Sequence, residues 1–149
     1  MNYGYDIIDG KKIAHTVIEN DYKLEGKHIG TVHVVNCELI IYGELHGTLD
    51  VQQNAKVIIE GKQHGSTYID TDAQIVINGE LHGSTYVKSN GVITIENAGK
   101  MMGSLNNHGT VVVKGVFSGS QTGSGSLLLK GNGYIKQPIV RNGINYYEL

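Results

Sequence analysis

Three histidines recur at intervals of 18 residues: His46, His64 and His82. On stacked strands this spacing brings imidazoles about 5 Å apart, close to the separation of neighbouring strands. Imidazoles so placed can ligate a metal or titrate as a group. Parallel strands, however, aim equivalent side chains to one side, which is poor geometry for a tetrahedral ion. Steps of 18 residues bring no Asp, Glu or Cys into the column, and Lys100 ends it. The expectation is an outward ladder that faces solvent or a partner, with no metal site.

Tyr68 and Tyr86 repeat in the same way, with Asp50 and Ser104 at the ends of their column. Exposed aromatics can bind sugars, protein partners or single-stranded bases, and stacked rings also fix strand register. Nucleic acid would need a basic stripe alongside, and none is present. Together, His46, His64, His82, Tyr68 and Tyr86 form the expected partner face. Cys37 aligns with Ala55 and Ala73 and is expected to be a small core filler. The Gly/Ser-rich run Gly115–Ser126 lacks the Gly-Lys-Ser/Thr of a phosphate-binding loop and is expected to loop out of its turn. Glu44, Glu80, Asp50, Asp70 and Asp72 fall in scattered columns, unlike the clustered carboxylates of a polysaccharide lyase. No catalytic residue and no cofactor site is expected, and the chain is read as a non-enzyme.

The elements that would position these residues follow from an internal repeat. Gly43-Glu44-Leu45-His46-Gly47, Gly61-Lys62-Gln63-His64-Gly65 and Gly79-Glu80-Leu81-His82-Gly83 lie 18 residues apart. The same step aligns Val51, Ile69, Val87 and Leu105. It also aligns Val57, Ile75, Ile93 and Val111; then Ile59, Ile77, Ile95 and Val113; and the small residues Ala55, Ala73, Gly91 and Gly109. Apolar residues alternate within each unit and β-branched types dominate, which is strand periodicity. Turn-forming pairs separate the runs: Gln53-Asn54, Thr71-Asp72, Ser89-Asn90 and Asn107-His108.

A unit this short cannot bury its own apolar face, so stacking must do it. The predicted fold is all-β: a right-handed parallel β-helix of about 18 residues per turn. A left-handed hexapeptide coil would need an aliphatic residue every sixth position, where later turns hold Gly, Thr and Ala. One domain spans 1–149, with an N-terminal cap over 1–25, repeat turns over 26–130 and a C-terminal cap over 131–149. With its ends the coil is expected to reach about eight layers and roughly 35–40 Å.

Composition narrows the setting. The chain has 21 Gly, one Phe, no Trp and 40% hydrophobic residues, enough apolar surface to argue against disorder. Its formal net charge of −2 gives no drive toward nucleic acid or an anionic membrane. The single cysteine fits a reducing compartment. No apolar run approaches a membrane span, and the first residues carry no signal-peptide pattern. A cytoplasmic location is expected.

The unit Gly-Glu-Leu-His-Gly-x-x-x-Val, followed by aliphatic alternation and another Gly, resembles bactofilins, the polymer-forming cytoskeletal proteins of bacteria. The resemblance covers roughly residues 26–115 and rests on the repeat 43–103. It implies self-association through the ends of the rod. Candidate assembly residues are Ile7, Ile8, Ile13 and Val17 at one end, and Ile139, Val140 and Ile144 at the other. The alternative is a capped binding module, such as a phage structural component or an inhibitor or immunity-type protein. Its exposed face would meet a protein or glycan partner.

Overall fold

The computed structural model describes residues 4–136, 139–141 and 144–146. Two strands, β1 (Tyr5–Ile8) and β2 (Lys11–Ala14), form an antiparallel hairpin at the N-terminal side. Its tip is Asp9-Gly10, both at positive φ (51° and 78°), the conformation a two-residue hairpin loop requires.

Three parallel sheets of seven strands follow. The first stacks β3 (Thr16–Ile18), β6 (Val32–Val34), β9 (Leu49–Val51), β12 (Thr67–Ile69), β15 (Thr85–Val87), β18 (Leu105–Asn107) and β21 (Gln121–Thr122). The second stacks β4 (Tyr22–Leu24), β7 (Glu38–Ile41), β10 (Lys56–Ile59), β13 (Gln74–Ile77), β16 (Val92–Ile95), β19 (Thr110–Val113) and β22 (Ser126–Leu129). The third stacks β5 (Lys27–Ile29), β8 (Glu44–His46), β11 (Lys62–His64), β14 (Glu80–His82), β17 (Lys100–Met102), β20 (Val116–Ser118) and β23 (Tyr134–Lys136). A second antiparallel hairpin, β24 (Ile139–Arg141) with β25 (Ile144–Tyr146), comes last. The protein is a β-solenoid of seven layers rather than the expected eight. Among the described residues no helix is long and apolar enough to cross a membrane.

The core is vertical. Leu39, Val57, Ile75, Ile93 and Val111 sit directly over one another, as do Ile41, Ile59, Ile77, Ile95 and Val113. None has any exposed surface. Burying such a side chain contributes roughly 1.5–3 kcal/mol, and each column repeats that gain at every layer. Leu45, Gln63, Leu81, Met101 and Phe117 line the inside of the third sheet. Gln63 is the buried polar member. Its Nε2 donates to Gly47 O at 2.9 Å and to Thr67 Oγ1 at 3.3 Å.

The corners are set by backbone chemistry. Asn54, Asp72 and Asn90 take φ of 66°, 62° and 67°, the left-handed region that Asn and Asp tolerate best among residues with a side chain. Between the third and first sheets the corner is glycine. Gly65 and Gly83 have φ of 137° and 119°, and a Cβ on Gly83 would strike the Gly65 carbonyl directly beneath it.

Two boundaries and two columns differ from expectation. The stack begins at Thr16, not residue 26, because β3 and β4 pair with β6 and β7 through backbone groups that need no sequence repeat. It ends at Lys136, beyond residue 130, for the same reason. The 18-residue step also fails once. The corner Glu96–Gly99 holds two residues more than Asn78–Gly79, so Lys100 pairs with Glu80 and Met102 with His82. The next corner, His108–Gly109, is two shorter than Lys88–Gly91, which restores the register at Thr110. Leu105 therefore stacks on Thr85, and Asn107 takes the place above Val87. The Asn107 amide fills the gap left by the missing residues. Gly109 N–H donates to its Oδ1 at 2.9 Å, and its Nδ2 donates to Ser126 O at 3.0 Å.

A polar chain fastens the first hairpin to the flank of the coil. Thr31 donates to both Asp6 oxygens, N–H at 2.7 Å and Oγ1 at 2.9 Å. His15 Nε2 lies 3.2 Å from Asp6 Oδ1, and His15 Nδ1 lies 2.9 Å from His33 Nε2. His33 Nδ1 in turn lies 2.6 Å from Asp50 Oδ2. Partial burial pushes the Asp6 carboxyl up, but the two Thr31 donors and His15 outweigh it and hold the carboxyl below its ordinary value of 3.8.

Two outcomes follow from these contacts. Gly83→Ala lowers unfolding free energy by at least about 2 kcal/mol in a denaturant titration, through forced left-handed backbone and collision with the turn below. An unchanged midpoint contradicts that. Asp6 ionises more readily in the folded state, so its contribution is complete above pH 3.8 and fades as pH falls through the depressed value. Hydrogen exchange measured near neutral pH should show Asp6→Asn loosening residues 5–14 while β10 to β16 keep their protection.

Candidate functional site

On a strand whose central residue points inward, the residues on either side both point out. The third sheet therefore carries two parallel outward columns. One alternates in charge: Lys27, Glu44, Lys62, Glu80 and Lys100. The other holds Ile29, His46, His64, His82 and Met102. Met102, not Lys100, ends the histidine run.

The imidazoles stack face to face. Ring centroids are 4.8 Å apart for His46 and His64 and 4.9 Å for His64 and His82, with planes 16° and 15° from parallel. All three rings are half-buried rather than freely solvated. That burial, together with the neighbouring His82 and His46, pushes the His64 pKa down. The two Glu-x-His units differ in their contacts. Glu80 Oε1 lies 2.9 Å from His82 Nε2 and its Oε2 lies 3.9 Å from Lys62 Nζ. The His82 hydrogen bond is the chief cause that holds the Glu80 carboxyl below its ordinary pKa. Glu44, His46 and His64, by contrast, present three donor atoms within 4.8 Å of one another. The Nε2 of His46 is buried and has no hydrogen-bond partner. A groove of about 300 Å³ between the first hairpin and the coil, lined in part by Ile7, Ile8, Ile29 and His46, adjoins this group.

Glu44 is the residue that reading single columns missed. Its signal was its place two residues before His46, on the same side of the strand. Glu44 and Glu80 also share one column, with Lys62 between them, instead of being scattered.

Tyr68 and Tyr86 stack on the first sheet, centroids 5.1 Å apart and planes 8° from parallel. They are 44% and 42% exposed. Asp50 precedes them in the column and Asn106, not Ser104, follows. Asp50, Asp70 and Lys88 help to line a cleft of about 200 Å³ beside the rings, and Lys88 Nζ lies 3.4 Å from Asp70 Oδ1. The Tyr pair and the His column therefore occupy different sheets, with the glycine corner between them. They do not form one face.

The second sheet carries a face not anticipated from sequence. Ile40, Ile58, Val76, Thr94, Val112 and Leu128 point outward in one line. The uninterrupted apolar run Val57-Ile58-Ile59 was its visible sign. Cys37 is half-buried, with Sγ donating to Ile18 O at 3.4 Å. Burial, reinforced by Asp21 and Glu19, pushes its thiol pKa up, the opposite of an activated nucleophile. The Gly/Ser-rich run does not loop out: Gln121 and Thr122 pair with Leu105 and Asn106 in the first sheet.

The ends of the coil are open at their strand edges. β3, β4 and β5 are the outermost strands of their sheets at one end, and β21, β22 and β23 at the other. At the first end Val17, Ile18, Tyr22, Leu24 and His28 help to line a depression of about 490 Å³. Of the expected assembly residues, Val17 lies there. Ile8 and Ile13 lie on the hairpin beside Gly30, and Ile7 on the same hairpin is 68% exposed. At the other end Leu129 and Tyr134 are 54% and 51% exposed. Ile139, Val140 and Ile144 belong to β24 and β25, and their side chains lie outside the described residues. Comparison with known proteins finds no matching family model, no matching curated protein and no matching solved structure.

Proposed function

We propose that this chain is a non-enzymatic structural protein of bactofilin type that assembles by adding the end of one solenoid to the end of the next. One observation carries the reading: each end presents three outermost strands, and at the first end Ile18 and Leu24 line a depression that no residue of the β1–β2 hairpin helps to line. An unpaired parallel strand edge is a template for another strand. The apolar columns supply the burial that strand addition alone lacks, because Leu24 continues into Ile41 and Val113 into Leu129. A heterologous joint of this kind repeats without closing and makes a filament. The free thiol of Cys37 suits a reducing, cytoplasmic setting.

Backbone geometry marks the variant to make. The Leu24 carbonyl accepts from Tyr42 N–H at 2.9 Å, so Leu24 turns its polar groups toward β7. Alternation along the strand turns those of Lys23 toward the open edge. Lys23→Pro removes a donor from that edge and leaves the internal ladder intact. Wild-type protein grows in mass with concentration by sedimentation and gives filaments in negative stain. Lys23→Pro keeps the wild-type circular dichroism and remains a single small species. A wild-type chain that stays monomeric throughout the concentration series sinks the proposal.

A second reading rests on the exposed Tyr68–Tyr86 pair and its charged cleft. Parallel aromatic faces bordered by carboxylates and a lysine suit a sugar ring or a protein partner. On this reading glycan-array or pull-down binding disappears when Tyr68 and Tyr86 are both replaced by Ala, with melting temperature retained. Binding that survives the double replacement excludes this face.

A further inference from the structure

We propose that Glu44, His46 and His64 form a binding site for a divalent transition-metal ion of zinc type. The inference stands apart from end-to-end assembly, since all three residues lie on the flank of the coil. It rests on an asymmetry between two like units. Glu80-x-His82 is satisfied internally: its carboxylate holds His82 at 2.9 Å and faces Lys62 at 3.9 Å. In Glu44-x-His46 the carboxylate makes no hydrogen bond or ion pair among the described residues, and His46 Nε2 is buried with no partner. A buried ring nitrogen without a partner is costly, and a metal ion relieves that cost. His64, in the next layer, supplies the third donor.

The geometry is close to what such an ion needs. Metal–donor bonds of about 2.0–2.2 Å place neighbouring donors of a tetrahedral ion roughly 3.4 Å apart. The three donors already lie within 4.8 Å of one another. Small side-chain rotations close the difference, because all three project from the outer surface of the sheet. Strand pairing fixes the Cα atoms from which they project, with His64 directly over His46 and Lys62 over Glu44. Two imidazoles with one carboxylate select zinc, cobalt, nickel or copper over calcium and magnesium, which take oxygen ligands. The fourth position is left for a water molecule from the adjoining groove.

The test is titration of metal-free full-length protein with Zn²⁺ against a competing chromophoric chelator. One ion per chain is expected. Glu44→Gln, His46→Ala and His64→Ala each weaken affinity about ten-fold or more, and His82→Ala leaves it unchanged. Co²⁺ in place of Zn²⁺ gives a visible spectrum of low-coordinate type that Glu44→Gln alters. Metal-free melting temperatures of the variants are compared first. Any variant with a lowered value is replaced by its nearest isostere, such as His46→Gln. No uptake at micromolar Zn²⁺, binding indifferent to Glu44→Gln, or a loss from His82→Ala equal to that from His46→Ala overturns the assignment.

Discussion

The fold depends on one constraint: residues in successive layers must coincide vertically at the strand spacing of about 4.8 Å. Backbone hydrogen bonds between layers set that distance, and every other feature has to accept it. Aliphatic side chains accept it well, because an Ile over an Ile fills the same hole at each level. Corners accept it only if their backbone leaves room. That is why Gly65 lies over Gly47 and Gly83 over Gly65, where a side chain would collide with the carbonyl below. Like charges accept it badly, and the outward column Lys27, Glu44, Lys62, Glu80, Lys100 changes sign at each step. That alternation favours one register over a one-layer slip, since a slip would put like charges face to face.

Vertical coincidence also explains why functional chemistry on such a surface comes as ladders. A residue type placed once per turn becomes a stack without further design. Stacked rings at about 5 Å can serve as plain surface, and His46, His64 and His82 show how neighbours decide otherwise. Their rings share one geometry, but their environments differ. Glu80 occupies His82, Lys62 turns to Glu80, and the hairpin borders the groove beside His46. Chemistry on a solenoid face is thus set less by the repeat than by what breaks its symmetry.

Much of the fold was legible in the residues because the vertical constraint prints itself on the sequence as a constant step. The core columns through Val57 and Ile59 could be assigned without coordinates. The step failed where corners change length. Two residues gained at Glu96–Gly99 and two lost before Thr110 leave the second sheet in register but displace the other two sheets between. Leu105, Ser104 and Lys100 were assigned to the wrong columns for that reason. The first layer was hidden for another: strands at an end need backbone pairing but not a full set of inward aliphatics, so Thr16–Ile18 and Tyr22–Leu24 carry little of the repeat. Glu44 escaped notice because sequence columns were read one at a time, whereas a strand displays residues i and i+2 side by side.

A stack that gains stability by adding equal layers contains nothing that limits its length. A closed barrel pairs its last strand with its first; a solenoid leaves three strand edges at each end. Proteins of this kind must cover those edges or use them. Here the first hairpin is spent elsewhere. Asp6, Thr31, His15 and His33 fasten it to the flank, and it takes no part in lining the depression at the first end. Tyr22 and Tyr134 stand exposed at opposite ends. An element capable of capping, anchored away from the end, leaves that end free for a partner that continues the same columns, and a second copy of the chain has the right spacing to do so.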